Sequence, residues 1–155
     1  KMLSVCRQYI KDIHHAEDVM ITGFMKVFTN LKNFEHKGSF EGWIRRIMVY
    51  ECIDFLRVKK NNFNHQDIED VTISENESVY EMEDFSVDDI QNMIDNLPDG
   101  YKMVFNLYAI EGYKHQEIAE MLKISEGTSK SQLSHARKLL QQQITDLKNK
   151  LNGTK

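Results

Sequence analysis

Proline occurs once and glycine only seven times in 155 residues, too little turn chemistry for a loop-rich all-β chain. No stretch approaches the roughly 20 apolar residues needed to span a bilayer. A basic start, apolar run and small-residue cleavage site, the marks of a secretory leader, are also missing. Cys6 and Cys52 are too few and too far apart in the sequence for a disulfide framework or a zinc site. Both read as reduced core thiols, and the expected compartment is the cytoplasm. The six histidines do not fall at ligand spacing, since His14 and His15 are adjacent rather than four apart. There is no Gly-rich phosphate loop and no nucleophile motif. Glu51 and Asp54, three apart, are ordinary helix-surface chemistry. The reading is therefore a non-enzyme with no cofactor and no metal.

What is present points to helices. Hydrophobic residues make up 41% and charged residues 28%, a folded rather than disordered mixture, and runs of Met, Leu, Ile, Lys and Glu favour helix. The net charge of −4 taken alone speaks against a nucleic-acid partner, but its distribution reverses that inference. Residues 1–63 carry 11 basic and 7 acidic side chains, residues 64–100 carry 12 acids and no Lys or Arg, and residues 101–155 carry 9 basic and 5 acidic. Two mildly basic blocks flank an acidic connector.

The periodicity predicts an all-α chain of two small helical domains joined by an acidic flexible linker. Met2, Cys6, Tyr9, Ile10 and Ile13 recur at helical spacing. Beyond a break at His14-His15, Met20, Phe24, Val27, Phe28 and Leu31 form a second apolar stripe. Ser39 is placed to cap a third helix, with Phe40, Ile44, Ile47, Met48, Cys52, Phe55 and Leu56 as its buried face. From Asn61 to Phe85 the periodicity fades and acids accumulate, as in a tether. Ser86 with Asp89 three residues on predicts a capping box, opening a helix through Ile90, Met93, Ile94 and Leu97 that Pro98-Asp99-Gly100 stops. Helices over 101–110, 114–122 and 125–151 follow, with a break at Glu111-Gly112. The expected boundaries are 1–62, 63–88 and 89–152.

Residues 112–140 hold the strongest local signal. Ile118, Ala119 and Leu122 give one helix a buried edge, Lys123-Ile124 makes a tight turn, and Ser125 can cap the next helix. Two helices so joined form the unit that sets its second helix in a DNA major groove. At about 100° per residue, Ser129, Leu133, Ala136 and Leu140 share one side and Ser131, His135 and Lys138 the other, with Lys130, Ser134 and Arg137 between. Lys130, Arg137 and Lys138 supply charge for phosphates, and Thr128, Ser131, Gln132, Ser134 and His135 supply hydrogen-bonding groups.

This block resembles the C-terminal domain of extracytoplasmic-function sigma factors. The resemblance rests on Leu97-Pro98, Glu111-Gly112, Glu117-Ile118-Ala119, Leu122, Ile124-Ser125, Gly127-Thr128, Lys130-Ser131, Leu133 and Ala136-Arg137-Lys138. Ser129 stands where the family usually has Val, and Lys123 where the turn often has Gly. Ala16-Glu17-Asp18-Val19 followed by Phe24-Met25-Lys26-Val27-Phe28 resembles the family helix that docks on the clamp of RNA polymerase. It implies polymerase-binding roles for Glu17, Asp18, Ile21, Thr22 and Met25, with Ile21 and Thr22 replacing a frequent Gln and acid. Gly38-Ser39-Phe40, Trp43-Ile44, Arg46-Ile47 and Ile53-Asp54-x-Leu56-Arg57 resemble the helix and loop that melt and read the −10 element. Tyr50 replaces a common Asn.

Arg46, Tyr50 and Arg57 fall within about 40° on their helix, with Trp43 about 60° away. Cations there can hold the phosphates of a separated strand, and rings can cover exposed bases. The loop Asn33–Ser39, with His36 and Lys37, is where the family captures an extruded base. The resemblance implies an N-terminally truncated first domain, a −35-reading second domain, and core RNA polymerase and promoter DNA as partners. It also implies an anti-sigma factor, membrane-bound in many such systems. Binding of the isolated chain to duplex DNA is expected to be weak and salt-dependent. Two other readings stay open on the residues alone: a helix-turn-helix regulator that never touches polymerase, and a sigma mimic that binds only an anti-sigma factor.

Overall fold

The computed structural model describes residues 1–61 and 85–152; the acidic stretch predicted as a tether lies almost wholly outside them. All regular structure among the described residues is helical. The chain divides into two compact units between Gln66 and Asp67.

The first unit comprises α1 (Met2–Tyr9), α2 (Ile13–Thr29), a 3-10 turn over Leu31–Asn33 and α3 (Phe40–Asn61). The break between α1 and α2 falls at residues 10–12, earlier than the histidine pair, because the Asp12 carboxylate accepts the His15 backbone N–H at 2.9 Å and caps α2. His14 and His15 are therefore helical. The buried face of α2 is small: Ala16, Val19, Gly23 and Val27. Small side chains let α2 approach both α1 and α3. Phe28 and Leu31, expected in the core, are instead exposed.

The Ser39 hydroxyl accepts the Gly42 N–H at 3.3 Å at the start of α3. Met48, Val49, Cys52, Ile53 and Leu56 carry the α3 core, while Phe40, in the first turn, is exposed. Cys6 and Cys52 are both buried, free thiols. A hydrogen bond from Cys52 holds the Cys6 thiol below its usual range, against the opposing effect of burial. Glu51 is buried but paired with Lys26 of α2, so α2 and α3 are joined by charge as well as by packing.

The second unit comprises α4 (Val87–Asp95), α5 (Asp99–Phe105) running on as a π-helical turn (Asn106–Ile110), α6 (His115–Leu122) and α7 (Glu126–Asn152). The Ser86 hydroxyl accepts the Asp89 N–H at 3.1 Å, and the Asp89 carboxylate accepts the Ser86 N–H at 3.0 Å. This reciprocal cap begins the helix inside the span assigned to the linker. Pro98 opens α5 instead of merely closing α4: Asp99 and Gly100 belong to α5. Gly112, at φ 78°, ends the π turn. The core gathers Leu97, Val104, Leu107, Ile118, Met121, Leu133 and Ala136. Met121 takes the fully inward position expected of Leu122, which is half-buried.

Candidate nucleic-acid interface

In the first unit the small inner face of α2 sends its large residues outward. Ile21, Met25 and Phe28 stand at helical spacing, all exposed, with Phe28 at 74%, and Leu31 extends the row. An ordered apolar stripe of this kind on a small unit marks a docking surface. Asp18 and Thr22 border it, exposed, with the Thr22 hydroxyl donating to the Asp18 carbonyl at 3.0 Å. Glu17 is half-buried beside His14, 3.8 Å away.

The loop after α2 folds around one ring. Phe34 meets His36 at 4.8 Å between centroids, Phe40 at 5.1 Å and Trp43 at 5.4 Å, and Phe40 stacks on Trp43 at 5.8 Å and 23°. His36 at φ 55° and Gly38 at φ 94° give the reversal that brings the loop back over Phe34. Asn33 is tied to Asn30 at 3.2 Å, and Lys37 is paired with Glu35 at 2.7 Å. Along α3 the Arg46 guanidinium lies 5.9 Å from the centre of the Tyr50 ring, and Arg57 pairs with Asp54 at 3.3 Å. The sequence pattern named Trp43 and His36 among these clustered rings, did not name Phe34, and assigned Phe40 to the core. An aromatic residue inside the polar run Asn33–Ser39 was the available signal.

In the second unit α6 and α7 meet through a tight turn. Lys123 adopts a left-handed conformation (φ 55°, ψ 46°), and the Ile124 N–H reaches back to the Ala119 carbonyl at 3.1 Å, closing α6 as Gly usually does. The Ser125 hydroxyl accepts the Thr128 N–H at 3.0 Å and contacts the Thr128 hydroxyl at 2.8 Å, so Thr128 is engaged in the cap. Ser129, Leu133 and Ala136 are buried, and Leu140 is half-buried.

Opposite them the residues differ in what holds them. Ser131, Lys130, Arg137 and Lys138 are exposed. Lys130 pairs with Glu126 at 2.9 Å, the Ser131 hydroxyl donates to the Thr128 carbonyl at 3.1 Å, and the Arg137 guanidinium sits 5.8 Å from the Tyr108 ring centre. His135, expected on the fully open side, is half-buried: it stacks on Tyr101 of α5 at 5.4 Å and 12°, and its Nδ1 donates to the Ser131 carbonyl at 2.8 Å. Gln132 also leans on α5, since a Cβ on Gly100 would lie 3.4 Å from its Nε2. Ser134 is half-buried. Ser129, polar where an apolar residue was expected, is satisfied by His115 Nδ1 at 2.9 Å. The core beneath α7 is thus bridged by a hydrogen bond.

Residues 1–62 match the family Sigma-70 region 2, and residues 87–140 match Sigma-70, region 4. The chain is similar to the ECF RNA polymerase sigma factor SigW of Bacillus subtilis, 31% identical over 95% of this chain and 84% of that one. The chain belongs to the ECF sigma factors of the sigma-70 family. The ECF RNA polymerase sigma-E factor of Haemophilus influenzae is 27% identical over 84% of this chain and 75% of that one. The sigma factor RpoE of Bartonella quintana, solved in complex with the anti-sigma factor NepR, shares the fold at a TM-score of 0.61 and 20% identity, covering 93% of this chain and 89% of that one. As a sigma factor the protein is non-enzymatic. It binds core RNA polymerase and directs it to promoters, regions 2 and 4 engaging the −10 and −35 elements. A regulator that never meets polymerase would leave region 2 unexplained. No helix among the described residues is long and apolar enough to cross a membrane.

Proposed function

We propose a residue-level division of this work, with a clamp-binding and −10-reading unit ending near residue 62 and a −35-reading unit starting near Ser86. The exposed stripe of Ile21 and Met25, edged by Glu17, Asp18 and Thr22 and extended by Phe28, docks on the polymerase clamp. Asn33, His36, Lys37 and Trp43, with Phe34 and Phe40, receive a base extruded from the −10 element. Arg46, Tyr50 and Arg57 hold the separated strand. Along α7, Ser131, Arg137 and Lys138, with Lys130 released from Glu126, meet the −35 element, and Thr128, Gln132, Ser134 and His135 line its flanks. The observation that carries the −35 assignment is the sorting of α7 into a buried Ser129–Leu133–Ala136 face and a cation-bearing outer face. An anti-sigma factor, membrane-bound as the resemblance implies, is a further partner. The protein works in the cytoplasm.

The test is run-off transcription and pull-down with core polymerase. Lys130→Ala combined with Arg137→Ala abolishes promoter-directed transcription and leaves polymerase binding intact. Unchanged transcription from the double variant would remove α7 as the reading helix.

A further inference from the structure

The π-helical turn Asn106–Ile110 sets Tyr108 on the surface between the first residue of α6 and the middle of α7. One face of its ring lies against His115, centroids 4.6 Å apart and planes 22° from parallel. The Arg137 guanidinium carbon stands over the Tyr108 ring at 5.8 Å. His115 in turn meets the hydroxyl of Ser129, a residue of α7 with no exposure at all. A closed chain of contacts therefore leaves α7 at its buried Ser129, passes through His115 and Tyr108, and returns to α7 at its exposed Arg137. A guanidinium on a long side chain samples many rotamers in water, and a ring face within about 6 Å attracts it and narrows that range. Single π turns of this type are frequent at functional sites.

We propose that Tyr108 is a positioning residue for promoter binding. Its ring, backed by His115 and anchored through Ser129, orders the Arg137 guanidinium in the place where it meets DNA. The proposal rests on the reading of α7 as the −35 helix. Tyr108 acts through Arg137 and needs no contact with DNA of its own. What matters is its ring face, not its hydroxyl.

The experiment is a double-mutant cycle on the holoenzyme, assembled from core polymerase and the full chain, binding a promoter fragment selected by that holoenzyme from genomic DNA. Tyr108→Ala in the otherwise unchanged chain is expected to weaken the promoter complex about two- to fivefold, the range of an exposed cation–ring contact. In an Arg137→Ala background the same change has no further effect. Tyr108→Phe keeps the ring and stays within error of the parent, and thermal melting of each variant establishes that the unit is folded. An equal loss from Tyr108→Ala in both backgrounds, or a Tyr108→Phe loss as large as that of Tyr108→Ala, overturns the positioning role while the −35 reading stands. If Arg137→Ala alone changes neither affinity nor its salt dependence, Arg137 makes no DNA contact and the inference falls together with that part of the reading.

Discussion

Gly23→Ala sets two effects of opposite sign against each other inside the α2–α3 contact. Replacing a mid-helix glycine by alanine favours folding by about 0.5–1 kcal/mol, because alanine surrenders less backbone freedom. Here the added methyl would fall well inside contact distance of Met48 Sδ, at 3.1 Å from Met48 Cε and 3.7 Å from Glu51 Cγ. Met48 is completely buried, so its thioether can yield only by moving against packed neighbours, and Glu51 is held by Lys26. Overfilling a packed site costs about 1–3 kcal/mol. The difference is a net loss of about 1 kcal/mol, equivalent to about 4–8 °C in Tm for a unit of this size. Trp43, the single tryptophan, lies in the first unit and reports its unfolding separately in the full chain. Met48→Ala alone should cost about 2–5 kcal/mol. The double variant should be better than the sum of the two by about 1 kcal/mol or more, the methyl occupying part of the vacated space. A rise in the Trp43-monitored Tm on Gly23→Ala would refute the reasoning, since helix propensity would then outweigh a clash that the packing makes decisive.

Other outcomes follow from single features. Lys123→Gly removes a left-handed non-glycine residue and should stabilise the second unit by about 0.5–1 kcal/mol in thermal melts followed by circular dichroism; a lower Tm would contradict it. The Ser86 hydroxyl first, and its backbone N–H second, hold the Asp89 carboxyl below its ordinary value. Asp89 therefore supports α4 above the unfolded aspartate pKa of about 3.9, and this support is lost as pH falls through the lowered folded value. Amide exchange of α4 should then show an acid-side loss of protection that Ser86→Ala weakens; an identical profile in the variant would exclude the cap as its source. Phe34→Ala should leave closed-complex formation intact and reduce permanganate-detected strand opening about fivefold, the lower end of what one lost base–ring stack costs; unaltered opening would rule the aromatic cluster out of melting. Ile21→Glu with Met25→Glu should eliminate polymerase pull-down at unchanged Tm, and retained capture would move the docking face elsewhere.

The second unit was largely legible in the sequence because its signals are local. Ser86 and Asp89 are three apart, Ser125 stands three residues before the Thr128 N–H that it caps, and Gly112 stands where the chain reverses. The first unit misled where a pattern has two readings. The row ending in Phe28 and Leu31 has helical spacing, but the core takes the smaller row of Ala16, Val19, Gly23 and Val27, since only small residues let three helices come this close. Phe40 keeps the period of its helix yet lies in the first turn, where its ring covers the loop. His135 shows the limit of angular arithmetic: the wheel gives a direction on one helix, and only the fold brings Tyr101 to meet it. Ser129 looked like a defect because its partner His115 lies 14 residues away on another helix.

The Lys130–Glu126 pair gives the leading turn of α7 a particular electrical character. With its cation already matched by a carboxylate four residues earlier, that turn is close to neutral before DNA arrives. On the proposed reading of α7, an approaching phosphate competes with Glu126 for Lys130, and the carboxylate then faces a polyanion. Random duplex, able to offer only its phosphate backbone, gains little from that exchange. On that reading, a site that also engages Ser131, Arg137 and Lys138 gains more than it loses, and the exposed ion pair, worth at most about 1 kcal/mol, lowers the affinity for random DNA only slightly.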